Sequence, residues 1–299
     1  MFRLFSWLIS LFLVGMGLPA KAQQLLPPAL NSFITEVPKL PAPLGQSRYY
    51  GATNASPAWV IAQWDIPGSR LSSFTKEEDG SLISHSEEAN VQIKNGILTI
   101  SQSGATLPCT HPGGKPREWD LFFAPSAQHF TPLIALSRLA SLIQTATITV
   151  DGSILPGKAC KVNLGDTLIA IVLIDREVHP AQVFFYQLEL SQTCHSIPGG
   201  QNCSSDPNRA IYFSRSNPFG ADEYEPLLGH PFLHNGKQIH FSENLLPRLK
   251  AIIEKGPAGM DHKISDWVVA NAYYGQHIWG GVKLTSKWSN LKLTAKQNF

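Results

Sequence analysis

Apolar positions in this chain fall into short runs rich in aromatic and β-branched residues, cut by Gly, Pro and Asn. That pattern predicts strands. The first covers 58–67, where Trp59, Val60, Ile61, Trp64 and Ile66 sit before Pro67-Gly68. Further strands are expected at 91–93, 97–102, 119–124, 146–150, 167–174, 183–190 and 210–214, then at 267–272, 277–285 and 289–294. Asn95-Gly96 stands between two of them and signals a tight hairpin. Helical spacing occurs twice. One helix is expected over 132–142, where Leu133, Leu136, Leu139 and Leu142 recur every three residues. The other is expected over 242–255, with Ser242 as N-cap, Pro247 in the first turns and Gly256-Pro257 as the stop. Many short strands, two short helices and no βαβ alternation predict an all-β fold: a two-sheet antiparallel sandwich forming one domain over 58–294.

The ends and the composition narrow the setting. Met1-Phe2-Arg3, the apolar run 4–18 and Ala20-Lys21-Ala22 have the order of a secretory signal, cleaved before Gln23. The run falls short of the roughly 20 apolar residues that a span needs, so no membrane span is expected after cleavage. The mature protein is expected to be secreted or periplasmic. Residues 23–57, with Pro27-Pro28 and Pro41-Ala42-Pro43, read as a flexible, extended leader. Removing Arg3 and Lys21 leaves 22 basic against 22 acidic residues. A neutral chain argues against nucleic acid or an anionic membrane as the main partner. Cys109, Cys160, Cys194 and Cys203 suggest two disulfides in an exported protein. The turn-rich stretch between Cys194 and Cys203 favours a local bridge there, and Cys109–Cys160 follows. No Cys-x-x-Cys spacing occurs, and His230 and His234, four apart, have Pro231 between them and Asn235-Gly236 after them and so are not on a helix; neither a metal nor another cofactor is expected.

The densest functional chemistry lies in 272–293. Tyr273, Tyr274, Gln276, His277, Trp279 and Trp288 offer apolar rings and polar hydroxyl partners, the two things a sugar surface needs. Strand alternation sets Tyr274, Gln276 and Ile278 on one face, and Tyr273, His277 and Trp279 on the other. The Trp-rich first and last segments resemble the concanavalin A-like jelly-roll superfamily of lectins and glucanases. The run Tyr273–Gly281 is also similar to the ends of exported bacterial proteins. The resemblance implies a jelly roll that binds carbohydrate.

Two enzymatic alternatives attach to other residues. Glu118 and Asp120 match the first two carboxylates of the Glu-x-Asp-x-Glu strand of laminarinase-like glycanases, but Phe122 stands at the third position. Retaining hydrolysis needs two carboxyl groups about 5 Å apart, so the change removes an essential group. Arg117-Glu118, Gln238-Ile239-His240 and Tyr273-Tyr274 resemble motifs of jelly-roll alginate lyases. That likeness implies Arg117 and Gln238 as carboxylate neutralisers, His240 as base and Tyr274 as acid. The expected function is carbohydrate binding without catalysis. The alternatives are a polysaccharide lyase, a glycoside hydrolase, or an adhesive surface protein.

Overall fold

The computed structural model describes residues 22–27, 33–36, 48–49, 58–64, 71, 74–110, 112–114, 117–125, 134–158, 160–177, 182–193, 209–213, 223–226, 236–256 and 259–298. In chain order the strands are β1 (Ala22–Gln24), β2 (Phe33–Glu36), β3 (Arg48–Tyr49), β4 (Trp59–Trp64), β5 (Thr75–Lys76), β6 (Leu82–His85), β7 (Ala89–Lys94), β8 (Ile97–Ser103) and β9 (Glu118–Pro125). They continue with β10 (Ile134–Ala135), β11 (Leu139–Ile154), β12 (Leu164–Asp175), β13 (Val183–Gln192), β14 (Arg209–Phe213), β15 (Glu223–Pro226), β16 (Gln238–Asn244), β17 (Trp267–Trp279) and β18 (Val282–Gln297). One α-helix, α1 (Leu246–Lys255), follows β16.

Two sheets hold these strands. The eight-stranded sheet runs β16-β11-β18-β8-β7-β6-β5, with β1 added beside β18. The ten-stranded sheet runs β15-β14-β13-β12-β17-β9-β4-β2-β3, with β10 beside β17. Pairing is antiparallel except for β2 with β4. The chain passes between sheets at β1–β2, β4–β5, β8–β9, β10–β11, β11–β12, β15–β16, β16–β17 and β17–β18. This exchange is the jelly-roll sandwich expected from the short strands, and α1 accompanies it. The core is shared: Trp59, Trp119, Phe123, Ile169, Phe184 and Tyr274 from one sheet meet Leu98, Ile100, Ile148, Leu284 and Trp288 from the other, all almost fully buried. Phe123 lies edge-on to Trp288 across the gap, with ring centroids 5.6 Å apart.

Several elements differ from the expectation. Among the described residues of the stretch expected to be helical, 134–142, there is no α-helix; Leu136–Arg138 forms one 3₁₀ turn and Leu139 begins a long strand. A register shift between Leu139 and Ser141 buries both Leu139 and Leu142, which gives a strand a helix-like spacing of three. The second helix starts later than expected, because β16 continues through Ser242 to Asn244. Asn244, rather than Ser242, sits at the junction, where its Oδ1 accepts from the amides of Leu142 and Leu246. The strand expected at 277–285 is two strands, β17 and β18, joined at Gly280-Gly281. Asn95 and Gly96 both have positive φ and join β7 to β8, as the hairpin signal requires. Within the stretch expected to be a flexible leader, β1 pairs with β18, and Leu25 and Leu26 are buried; β2 and β3 extend the other sheet. The apolar Leu25-Leu26 pair gives that segment surface to bury. Cys109 and Cys160 are bridged as expected. The expected Cys194–Cys203 bridge and the signal cleavage site fall outside or at the edge of the described residues.

Candidate functional site

Strands β9, β17 and β12 lie side by side in the middle of the ten-stranded sheet. Their register sets three rows of directly paired residues, and residues paired across strands share a face. His277 stands between Asp120 of β9 and Asp166 of β12. Trp279 stands between Glu118 and Leu164, and Gly275 between Phe122 and Leu168. The alternate residues of β17, Tyr274, Gln276 and Ile278, are fully buried in the core. The three rows therefore form the outer face of this sheet.

Both ring nitrogens of His277 face carboxylates. Nδ1 lies 2.7 Å from Glu118 Oε1 and 3.7 Å from Asp120 Oδ1, and Nε2 lies 3.1 Å from Asp166 Oδ2. Burial alone would lower the imidazole pKa. Asp120, Asp166 and Glu118 outweigh it and hold His277 protonated well above the ordinary histidine range. The cluster is deep at one end and open at the other. Asp166 is 2 % exposed, whereas the Glu118 side chain is 43 % exposed.

A row of rings continues from the cluster. The His277 and Trp279 centroids are 4.3 Å apart, Phe122 and His277 6.2 Å, Phe122 and Tyr273 5.2 Å, and Phe185 and Tyr273 6.3 Å. Trp279, Tyr273 and Phe185 remain partly exposed, while Phe122 packs with Leu168 and Ala170. Gly275 makes room for Phe122. A Cβ there would collide with the Leu121 carbonyl oxygen and lie 2.8 Å from the Phe122 Cα. Gln187 Nε2 donates to the Tyr273 hydroxyl at 2.7 Å and fixes that ring.

The rim is built by the turn and the disulfide. Asn163 Oδ1 accepts from the Gly281 amide at 2.7 Å, and Asn163 Nδ2 donates to the Cys160 carbonyl at 3.0 Å. Arg117 N donates to the Cys109 carbonyl at 3.2 Å. The Cys109–Cys160 bridge thus ties the segment before Glu118 to the segment before β12.

The residues expected from sequence to bind a ligand divide between two faces. Tyr273, His277 and Trp279 lie on the outer face. Tyr274, Gln276 and Trp288 lie in the core: Trp288 Nε1 donates to Ser286 Oγ, Ser286 Oγ to Gln276 Oε1, and Gln276 Nε2 to the Leu284 carbonyl. They satisfy one another rather than offering groups to solvent. The expected lyase set does not converge. Tyr274 donates to Gln144 Oε1 at 2.9 Å inside the core, and burial pushes its phenol well above the usual range. Gln238 and His240 are on β16, at the edge of the other sheet, where His240 Nδ1 meets Thr147 Oγ1 at 2.7 Å. Arg117 lies over the Trp119 ring at 5.1 Å. The convergence that elimination would need is therefore lacking. Phe122, at the third position of the glycanase-like strand, is 4 % exposed in an apolar patch. Sequence reading missed Asp166 altogether, since only strand pairing brings it to His277. Glu118, Asp120 and His277 hold possible metal-ligand atoms within 4.8 Å of one another, a grouping that local spacing did not suggest.

No family model and no curated protein matches the chain. Among solved structures it is similar to the X-ray crystal structure of the Trichoderma harzianum endoglucanase 3 from family GH12, at 9% identity and TM-score 0.30, over 77% of this chain and 98% of that one. Among the described residues no helix is long and apolar enough to cross a membrane.

Proposed function

We propose that the protein is an exported carbohydrate-binding protein whose ligand lies along the outer face of the ten-stranded sheet, over Trp279, His277 and Tyr273, without being cleaved. The observation that carries this reading is the set of partly exposed rings Trp279, Tyr273 and Phe185, linked through the buried rings of His277 and Phe122, with the half-exposed carboxylate of Glu118 paired beside Trp279. Rings offer flat apolar surface to the C–H face of a sugar, and carboxylates accept from its hydroxyls. A binding role fits the chemistry of the cluster better than hydrolysis does. A retaining hydrolase needs a protonated carboxyl group beside an ionised one. Here the proton is held by the imidazole, and the third alternate position of β9 is Phe122.

The test is co-sedimentation of residues 23–299 with a panel of insoluble polysaccharides, with reducing ends and unsaturated uronates followed in the same samples. Binding to at least one polymer without either product is expected. Release of product would replace this reading with an enzymatic one, and absence of binding to any polymer would remove it.

A further inference from the structure

We propose that Glu118, Asp120 and His277 form a binding site for a divalent transition-metal ion of the zinc type. The donors are one imidazole nitrogen and two carboxylates, on adjacent strands whose register fixes them on one face. Zinc takes nitrogen and carboxylate oxygen at about 2.0–2.2 Å, which places tetrahedral donors roughly 3.3 Å apart. The separations from His277 Nδ1, 2.7 Å to Glu118 and 3.7 Å to Asp120, bracket that value. The small adjustment falls on Glu118, whose half-exposed side chain can swing outward.

Asp166 adds an observation from outside the donor set. It is buried on the far side of the ring and bonds the other nitrogen, Nε2, at 3.1 Å. Metal-ligating histidines carry such a partner, which fixes the ring and aims the ligating nitrogen. A buried imidazolium needs one partner at each nitrogen, which Asp166 and Glu118 already supply; Asp120 is a further acid on the Nδ1 side, and zinc would take the place of the Nδ1 proton. The mixed donor set selects the metal, because calcium prefers six to eight oxygens and imidazole suits zinc and its neighbours. The Glu118 side chain is 43 % exposed, so solvent reaches that side of the cluster, where water or a ligand hydroxyl would complete the coordination.

The experiment is calorimetric titration of chelator-stripped protein with ZnCl₂ and, separately, with CaCl₂, backed by visible absorption on adding Co²⁺. One saturable equivalent of zinc is expected, with no heat from calcium. Glu118→Gln and Asp120→Asn should each weaken zinc binding at least tenfold. Asp166→Asn keeps all three donors and should weaken it by roughly 10–100-fold, the usual cost of losing a supporting group. Glu118 is partly exposed, so its variant keeps the test decisive even where a His277 variant fails to fold. No saturable zinc binding, or binding unchanged in both Glu118→Gln and Asp120→Asn, would overturn the assignment. Metal is read here without any glycan, so failure of either reading leaves the other standing.

Discussion

At the residue scale, His277 carries most of the chemistry and some of the stability. Glu118 and Asp120 from β9 and Asp166 from β12 face it, and they raise its pKa against the effect of burial. A group whose folded pKa is raised stabilises fully below its unfolded value, about 6.5, and loses that contribution as pH climbs through the folded value. In the presence of chelator, the melting temperature should therefore fall as pH rises above about 6.5. A His277→Gln variant should be less stable at low pH and show a flatter profile between the two. Parallel profiles for the two proteins would contradict the assignment of a charged imidazole. Gly275 makes a second claim at this scale. A Gly275→Ala variant should lose at least about 2 kcal/mol, by overpacking against Leu121 and Phe122. Denaturant unfolding measures this, and an unchanged midpoint would show that the β9 backbone at Leu121-Phe122 can give way. The residue types of the site were visible in the sequence, since Glu118, Asp120, His277 and Trp279 all drew attention. Their meeting was not, because it depends on β9 and β12 flanking β17.

At the element scale, strand positions were legible wherever turn residues bounded a run, as at Asn95-Gly96. They were misread where a bulge broke the alternation. The helix-like Leu spacing of 132–142 arises from a 3₁₀ turn followed by a register shift in β11. The turn at Gly280-Gly281 was hidden because apolar residues continue on both sides of it. That turn packs on the disulfide segment: a Cβ on Gly280 would meet the Val162 carbonyl oxygen and lie 2.8 Å from the Cys160 Cβ. The Cys109–Cys160 bridge closes a sequence separation of 51 residues. Chain entropy then assigns it about 4 kcal/mol. A Cys109→Ser/Cys160→Ser protein should melt well below the parent and bind ligand more weakly, because the rim holds the first residues of β9 and β12. Calorimetry and binding on the same sample check both; a lower melting point with unchanged affinity would separate the bridge from the site.

At the scale of the whole molecule, the sandwich has two outer faces, and sequence could not say which residues belong to which. Core packing takes Tyr274, Gln276 and Trp288, the residues a composition-based reading would equally have placed in a binding cleft. The outer face of the ten-stranded sheet keeps Trp279, Tyr273 and the carboxylates around His277 together. The outer face of the eight-stranded sheet holds His240 at its edge. These two faces give opposite expectations for the same experiment. The decisive measurement is the affinity of Trp279→Ala and of His240→Ala for a polysaccharide that the parent protein sediments with. Loss of at least about tenfold, or roughly 1.4 kcal/mol, in Trp279→Ala with His240→Ala unchanged is the predicted result. Unchanged binding in Trp279→Ala, with loss in His240→Ala, would place the site on the other face and contradict the account.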